Sequence, residues 1–108
     1  MIKVVFTKSN GKYTGFTSRG HAGYAEEGQD IVCAAVSALV ITTANALDAY
    51  TDDRFVLETD DGFVHWEFLD EISERGTLLM DTLALGLTEI QNDENEPSVI
   101  RSQKGSWF

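Results

Sequence analysis

Two dipeptides do most to limit how this chain folds. Asn10-Gly11 and Asp61-Gly62 each lie between short apolar-rich runs. Such pairs favour two-residue hairpin turns, where backbone positions need positive φ. Residues 1–7, rich in Ile, Val and Phe, therefore read as a strand that returns over 12–20. Residues 55–59 and 64–68 flank the second turn. With Asp61-Gly62 as that turn, Thr59 pairs with Val64, Glu58 with His65, Leu57 with Trp66 and Phe55 with Phe68. This register collects Phe55, Leu57, Val64, Trp66 and Phe68 on one face, as a core face requires. His65 falls on the other face beside Glu58, where the plain reading is a surface cross-strand pair. Both faces of the first hairpin are mixed, so its turn is better defined than its register.

A helical pattern follows each hairpin. Asp30 is a good N-cap before Ile31, which makes Cys33 the third helical residue, and the pattern continues to about Tyr50. The segment is apolar nearly all round, which predicts a central, enclosed helix. Ser37, Thr42, Thr43, Asn45 and Asp48 interrupt it and favour a buried helix over a membrane span. The second pattern covers 73–91, with Leu79, Leu83, Leu87 and Ile90 at helical spacing. That stripe suits a core or a subunit interface. Residues 92–97 read as an acidic linker ending in the only proline, 98–103 as a short edge strand, and 105–108 as an apolar tail. The fold class is α/β of the α+β type: a mostly antiparallel sheet of four to five strands, built from two hairpins, with two helices packed against it. The 108 residues form one domain, with linker, edge strand and tail over 93–108.

The formal charge is −10, from 18 acidic and 8 basic residues. Such a surface repels phosphate backbones and disfavours direct nucleic-acid binding. It attracts a basic partner or substrate instead. One cysteine cannot close an intramolecular disulfide, which fits a reducing, cytoplasmic compartment. The N-terminus reads as a strand rather than a signal peptide. One Cys and two separated His fall short of a structural zinc set, and no phosphate-binding glycine motif occurs, so no metal or cofactor is expected.

The chemistry concentrates between Gly20 and Ser37. A glycine-rich loop, 20–28, joins a strand to a helix and carries His21. Cys33 follows near the helix start, with Ser37 four residues on and hence on the same face. A thiol becomes a strong nucleophile as a thiolate, which a helix N-terminus and a neighbouring imidazolium both favour. The unsatisfied N–H groups there can stabilise an oxyanion. Cys33, His21 and the helix start can therefore supply nucleophile, base and oxyanion donors. Asp30 either caps the helix or orients His21, and its two oxygens can divide the work. Against this, a lone cysteine in a small protein is commonly an inert apolar residue.

The run Gly20-His21-Ala22-Gly23, followed by Gly28-Gln29-Asp30-Ile31-Val32-Cys33-Ala34-Ala35-Val36-Ser37, resembles the signature of the bacterial ribosomal-processing cysteine proteases. Length and element order are similar to that family over about residues 1–92. The resemblance implies a cytoplasmic, homodimeric cysteine endopeptidase. Its substrate would be a large-subunit ribosomal protein precursor that loses a short N-terminal extension. It implies Cys33 as nucleophile and His21 as general base, with Gly20, Asp30 and Ser37 supporting the site. The acidic chain suits a basic ribosomal substrate. The alternative is a non-catalytic acidic module that binds a basic ribosomal protein without using Cys33.

Overall fold

The computed structural model describes residues 2–20 and 29–95. His21, the rest of the loop through Gly28, Pro97, the expected strand at 98–103 and the tail lie outside the described residues. The order is β1 (Ile2–Ser9), β2 (Lys12–Gly20), α1 (Gln29–Tyr50), β3 (Phe55–Asp60), β4 (Phe63–Phe68) and α2 (Glu74–Asn95). Among the described residues, four strands form one sheet in the order β1-β2-β4-β3, antiparallel throughout. The α+β expectation holds.

Both turns form where the dipeptides predict. Asn10 and Gly11 have φ of 53° and 78°, the pair of positive values a type I′ turn needs. The β3–β4 register is Thr59↔Val64, Glu58↔His65, Leu57↔Trp66 and Phe55↔Phe68, as the alternation of apolar residues requires. In the first hairpin the register shifts between Thr7 and Lys8, leaving Thr14 as the extra residue on β2. This bulge breaks the two-residue alternation, so Tyr13 and Phe16 are both buried. It is why the faces of this hairpin look mixed in sequence.

The core lies between one face of the sheet and the two helices. Phe16, Leu47, Trp66 and Met80 are fully buried, with Val40 and Leu83 beside them. The Phe16 and Trp66 rings pack tilted at 30° with centroids 4.6 Å apart, and Phe6 meets Phe16 edge-on at 5.0 Å. The helices run antiparallel. Arg75 donates to the Tyr50 carbonyl at 3.2 Å, and Gly86 lies against Leu39. The N-terminal half of α1 therefore sits beside the C-terminal half of α2.

Three expectations need correction. α1 is not enclosed: Val36, Val40, Thr43, Ala44 and Leu47 are buried, while Ile31 and Ile41 are 75% and 56% exposed. Two helices on one face of a four-stranded sheet cover α1 on one side only. α2 continues to Asn95, so the expected acidic linker begins as helix. The apolar spacing ends at Ile90 and acidic residues oppose the dipole at a helix C-terminus, which is why the pattern suggested an earlier stop. Leu57 points to the core face but is 47% exposed, because β3 is an edge strand that the helices do not cover. His65 is register-paired with Glu58 as expected. Its ring contacts are Thr17 Oγ1 at 2.8 Å from Nδ1 and Glu67 at 3.5 Å from Nε2.

Candidate active site

Gly20 closes β2 with φ of 120°, a conformation that strains any residue with a Cβ. Its N–H donates to the Gly62 carbonyl at 2.8 Å. The strand end that leads directly to His21 is thus tied to the β3–β4 turn. Gly62, at φ of 67°, is the positive-φ glycine of that turn.

The first turns of α1 lie beside this junction and carry Cys33, a half-buried free thiol. Cys33 and Ser37 open onto one pocket of about 290 Å³, as their four-residue spacing predicts. Val36, Val40 and Ile41 complete the α1 wall. Ser18, Gly20 and Val64 come from the sheet, and Asp60, Asp61 and Gly62 from the hairpin tip. The lining is mostly apolar, with Asp60 and Asp61 contributed by the hairpin tip. Among the described residues no group of three or more His, Cys, Asp or Glu could hold a metal ion.

One local expectation changes. α1 begins at Gln29, so Asp30 already lies in the helix and Cys33 is the fifth helical residue rather than the third. In that register the Cys33 N–H belongs to the helix's own ladder, bonding four residues back. The unsatisfied donors belong to the turn before it. The side chain of Asp30 and all of His21 lie outside the described residues, so the structure places Gly20, Cys33 and Ser37 together and does not test the other two.

The shifted titratable groups belong to the opposite end of the sheet. Tyr13 is pushed up to about 12 by burial and by its hydrogen bond to Asp81. The hydrogen bond from Arg54 holds the Asp70 carboxyl below the ordinary carboxylate range, and that from Lys12 does the same for Glu71. All three are structural pairs remote from Cys33.

Sequence reasoning did not reach Ser18, Ile41, Asp60, Gly62 or Val64 as pocket residues. They meet through pairing of β2 with β4, where Ser18 opposes Val64. No local pattern encodes that pairing. The one available signal was the Asp61-Gly62 turn, whose tip had to lie somewhere near a strand end.

Comparison with known proteins agrees with this geometry. The family model for cysteine protease Prp matches residues 1–99. The ribosomal processing cysteine protease Prp of Staphylococcus aureus strain Mu50 is 34% identical over 99 residues, covering 89% of this chain and 93% of that protein. A crystal structure of an essential ribosomal processing protease Prp from S. aureus with a substrate peptide has a TM-score of 0.82 at 33% identity, covering 89% and 93% of the two chains. Another, with a covalently linked product peptide, has a TM-score of 0.78 at 34% identity over the same shares. With the family match spanning nearly the whole chain and the free thiol opening on a pocket, this protein belongs to the cysteine protease Prp family and is a cysteine protease.

Proposed function

We propose that the protein is an endopeptidase that removes a short N-terminal extension from a large-subunit ribosomal protein precursor, with Cys33 as nucleophile and His21 as general base. The observation that carries this reading is the opening of Cys33 onto a pocket also lined by Gly20, the residue immediately before His21.

His21 accepts the Cys33 thiol proton, and the thiolate sulfur attacks the scissile carbonyl carbon. The C–N bond then breaks, and His21 returns the proton to the departing amine, which becomes the new N-terminus of the ribosomal protein. The extension remains as a thioester on Cys33. Water, deprotonated by His21, cleaves that thioester and releases the extension as a carboxylate. Backbone N–H groups of the first helical turn supply the oxyanion donors. Asp30, on the first turn of α1, orients His21. Ser37, one turn beyond Cys33 and exposed, lies where it can hydrogen-bond a substrate carbonyl.

The charge of −10 favours a basic substrate. The protein acts in the cytoplasm as a single-domain protomer of a homodimer. The outward face of the helical layer supports the dimer: Ile31 on α1 and Leu78 and Leu85 on α2 are 75%, 65% and 51% exposed.

Intact-mass analysis of the precursor, incubated with wild type or with Cys33→Ala, tests the reading. Loss of a defined N-terminal peptide with the wild type alone is expected. A folded wild type that cleaves nothing would leave the acidic binding module as the better account.

A further inference from the structure

The sheet order leaves β3 with a free edge next to the pocket. Antiparallel pairs alternate between those that exchange hydrogen bonds and those that do not. The Leu69 N–H donates to the Arg54 carbonyl, so the 54/69 rung is bonded. The two-residue turn requires the 60/63 rung to be bonded as well. Alternation between these fixed ends makes 56/67 and 58/65 bonded and 55/68, 57/66 and 59/64 unbonded. The N–H and C=O groups of Leu57 and Thr59 therefore point away from β4, toward the open edge. Among the described residues nothing pairs with them.

The side chains of these same residues point to the core face of the sheet. Thr59 is register-paired with Val64, which lines the Cys33 pocket, and Leu57 is the next core-facing residue along β3. Leu57 is 47% exposed and Ile41, on the pocket's α1 wall, is 56% exposed. The pocket reaches β3 at Asp60, and the edge of that strand beyond it offers free backbone groups and uncovered apolar surface. Asp60 and Asp61 line the pocket at the hairpin tip, and Glu58 shares the face of Asp60 on the same strand.

We infer that the substrate chain docks as an added strand on the free edge of β3, an extended basic peptide with an apolar residue against Leu57 and its scissile bond delivered to Cys33. This rests on the proposed endopeptidase reading. Edge-strand addition gives affinity through main-chain hydrogen bonds and leaves specificity to alternate side chains. These acidic residues complement the positive charge of a ribosomal protein. An uncovered, unpaired edge is otherwise a liability that a fold must manage.

The test uses full-length Cys33→Ala protein and a synthetic peptide spanning the N-terminal extension and cleavage site of the bacterium's own precursor. Amide exchange is followed by NMR with and without peptide. Protection of the Leu57 and Thr59 amides, with the already bonded Glu58 amide little changed, is expected. In the active enzyme, Leu57→Lys should lower kcat/KM on this peptide about tenfold or more, because apolar contact is lost and like charge is introduced. The unfolding temperature of that variant checks that the exposed edge still folds. Cleavage by the wild type with no change at Leu57 and Thr59 would overturn edge docking and leave the endopeptidase standing. Protection already present in the free protein and rising with its concentration would assign the edge to a second copy and overturn the proposal. Absence of both cleavage and binding would remove the endopeptidase reading, and edge docking with it.

Discussion

Two glycines on α2 should respond to alanine in opposite ways. Ser73 precedes the helix and caps it: the Gly76 N–H donates to Ser73 Oγ at 3.0 Å. Asp53 holds that cap, accepting from the Ser73 N–H at 3.0 Å and from Ser73 Oγ at 2.6 Å. A Cβ on Gly76 would meet Asp53 Oδ2 and stand 2.8 Å from Ile72 Cγ1, a core side chain only 5% exposed. Asp53 must then swing away, losing two hydrogen bonds at about 1 kcal/mol each. Moving Ile72 costs about 1 kcal/mol more. The helix-propensity gain of alanine over glycine is about 1 kcal/mol. The net effect of Gly76→Ala is a loss of about 2 kcal/mol, or roughly 8–16 °C in Tm for a domain of this size. Gly86 is the internal control, because its Cβ would meet only the far end of the Leu39 side chain at 2.8 Å. Leu39 can rotate, so Gly86→Ala should keep most of the propensity gain and be neutral or stabilising by up to about 1 kcal/mol. Thermal unfolding of both variants decides the matter. In an Asp53→Ala background most of the Gly76→Ala penalty should disappear, since its principal obstacle is gone. A Gly76→Ala protein as stable as wild type, or a Gly86→Ala protein that is the worse of the two, would refute the reasoning.

The two histidines should separate cleanly in a cleavage assay. His65 faces Thr17 and Glu67 and does not line the Cys33 pocket, so His65→Ala should leave kcat/KM within about twofold. His21→Ala should lose about a hundredfold or more, as removal of a general base does. Equal losses in the two variants would count against His21 as the base. Trp66 is fully buried with its Nε1 unpartnered among the described residues. Trp66→Phe discards that unsatisfied donor while retaining a ring, and should cost under about 2 kcal/mol in urea unfolding, against about 4 kcal/mol for Trp66→Ala. Tyr13 has its proton held more tightly in the folded state, with a pKa raised from 10.0 to about 12. Its contribution to stability is therefore complete below pH 10 and is lost as pH rises towards 12. Tyr13→Phe should flatten the alkaline limb of the pH–stability curve, and an unchanged limb would show that Tyr13 does not drive it.

Legibility in the sequence follows the range of the interactions involved. The β3–β4 register was readable because a two-residue turn and a run of alternating apolar residues fix the same answer independently. The β1–β2 register was not, since the bulge at Thr14 has no sequence mark and places Tyr13 and Phe16 three residues apart on one buried face. The chemistry of the site was readable at Cys33 and Ser37 for a related reason: helical spacing alone puts them on one face. The pocket around them was not, because it depends on pairing Ser18 with Val64 across the sheet. Burial fails differently. Hydrophobicity predicted that α1 would be enclosed and Leu57 covered, yet Ile31, Ile41 and Leu57 remain largely exposed in the single chain. Apolar content records what must eventually be covered, not what covers it. In this fold the two surplus surfaces differ in kind. The outward faces of α1 and α2 offer side chains only, which suits a flat, self-complementary contact between copies. The β3 edge offers side chains together with unpaired backbone groups, which suits an extended chain. The proposed dimer contact and the proposed substrate docking therefore draw on surfaces of different kinds.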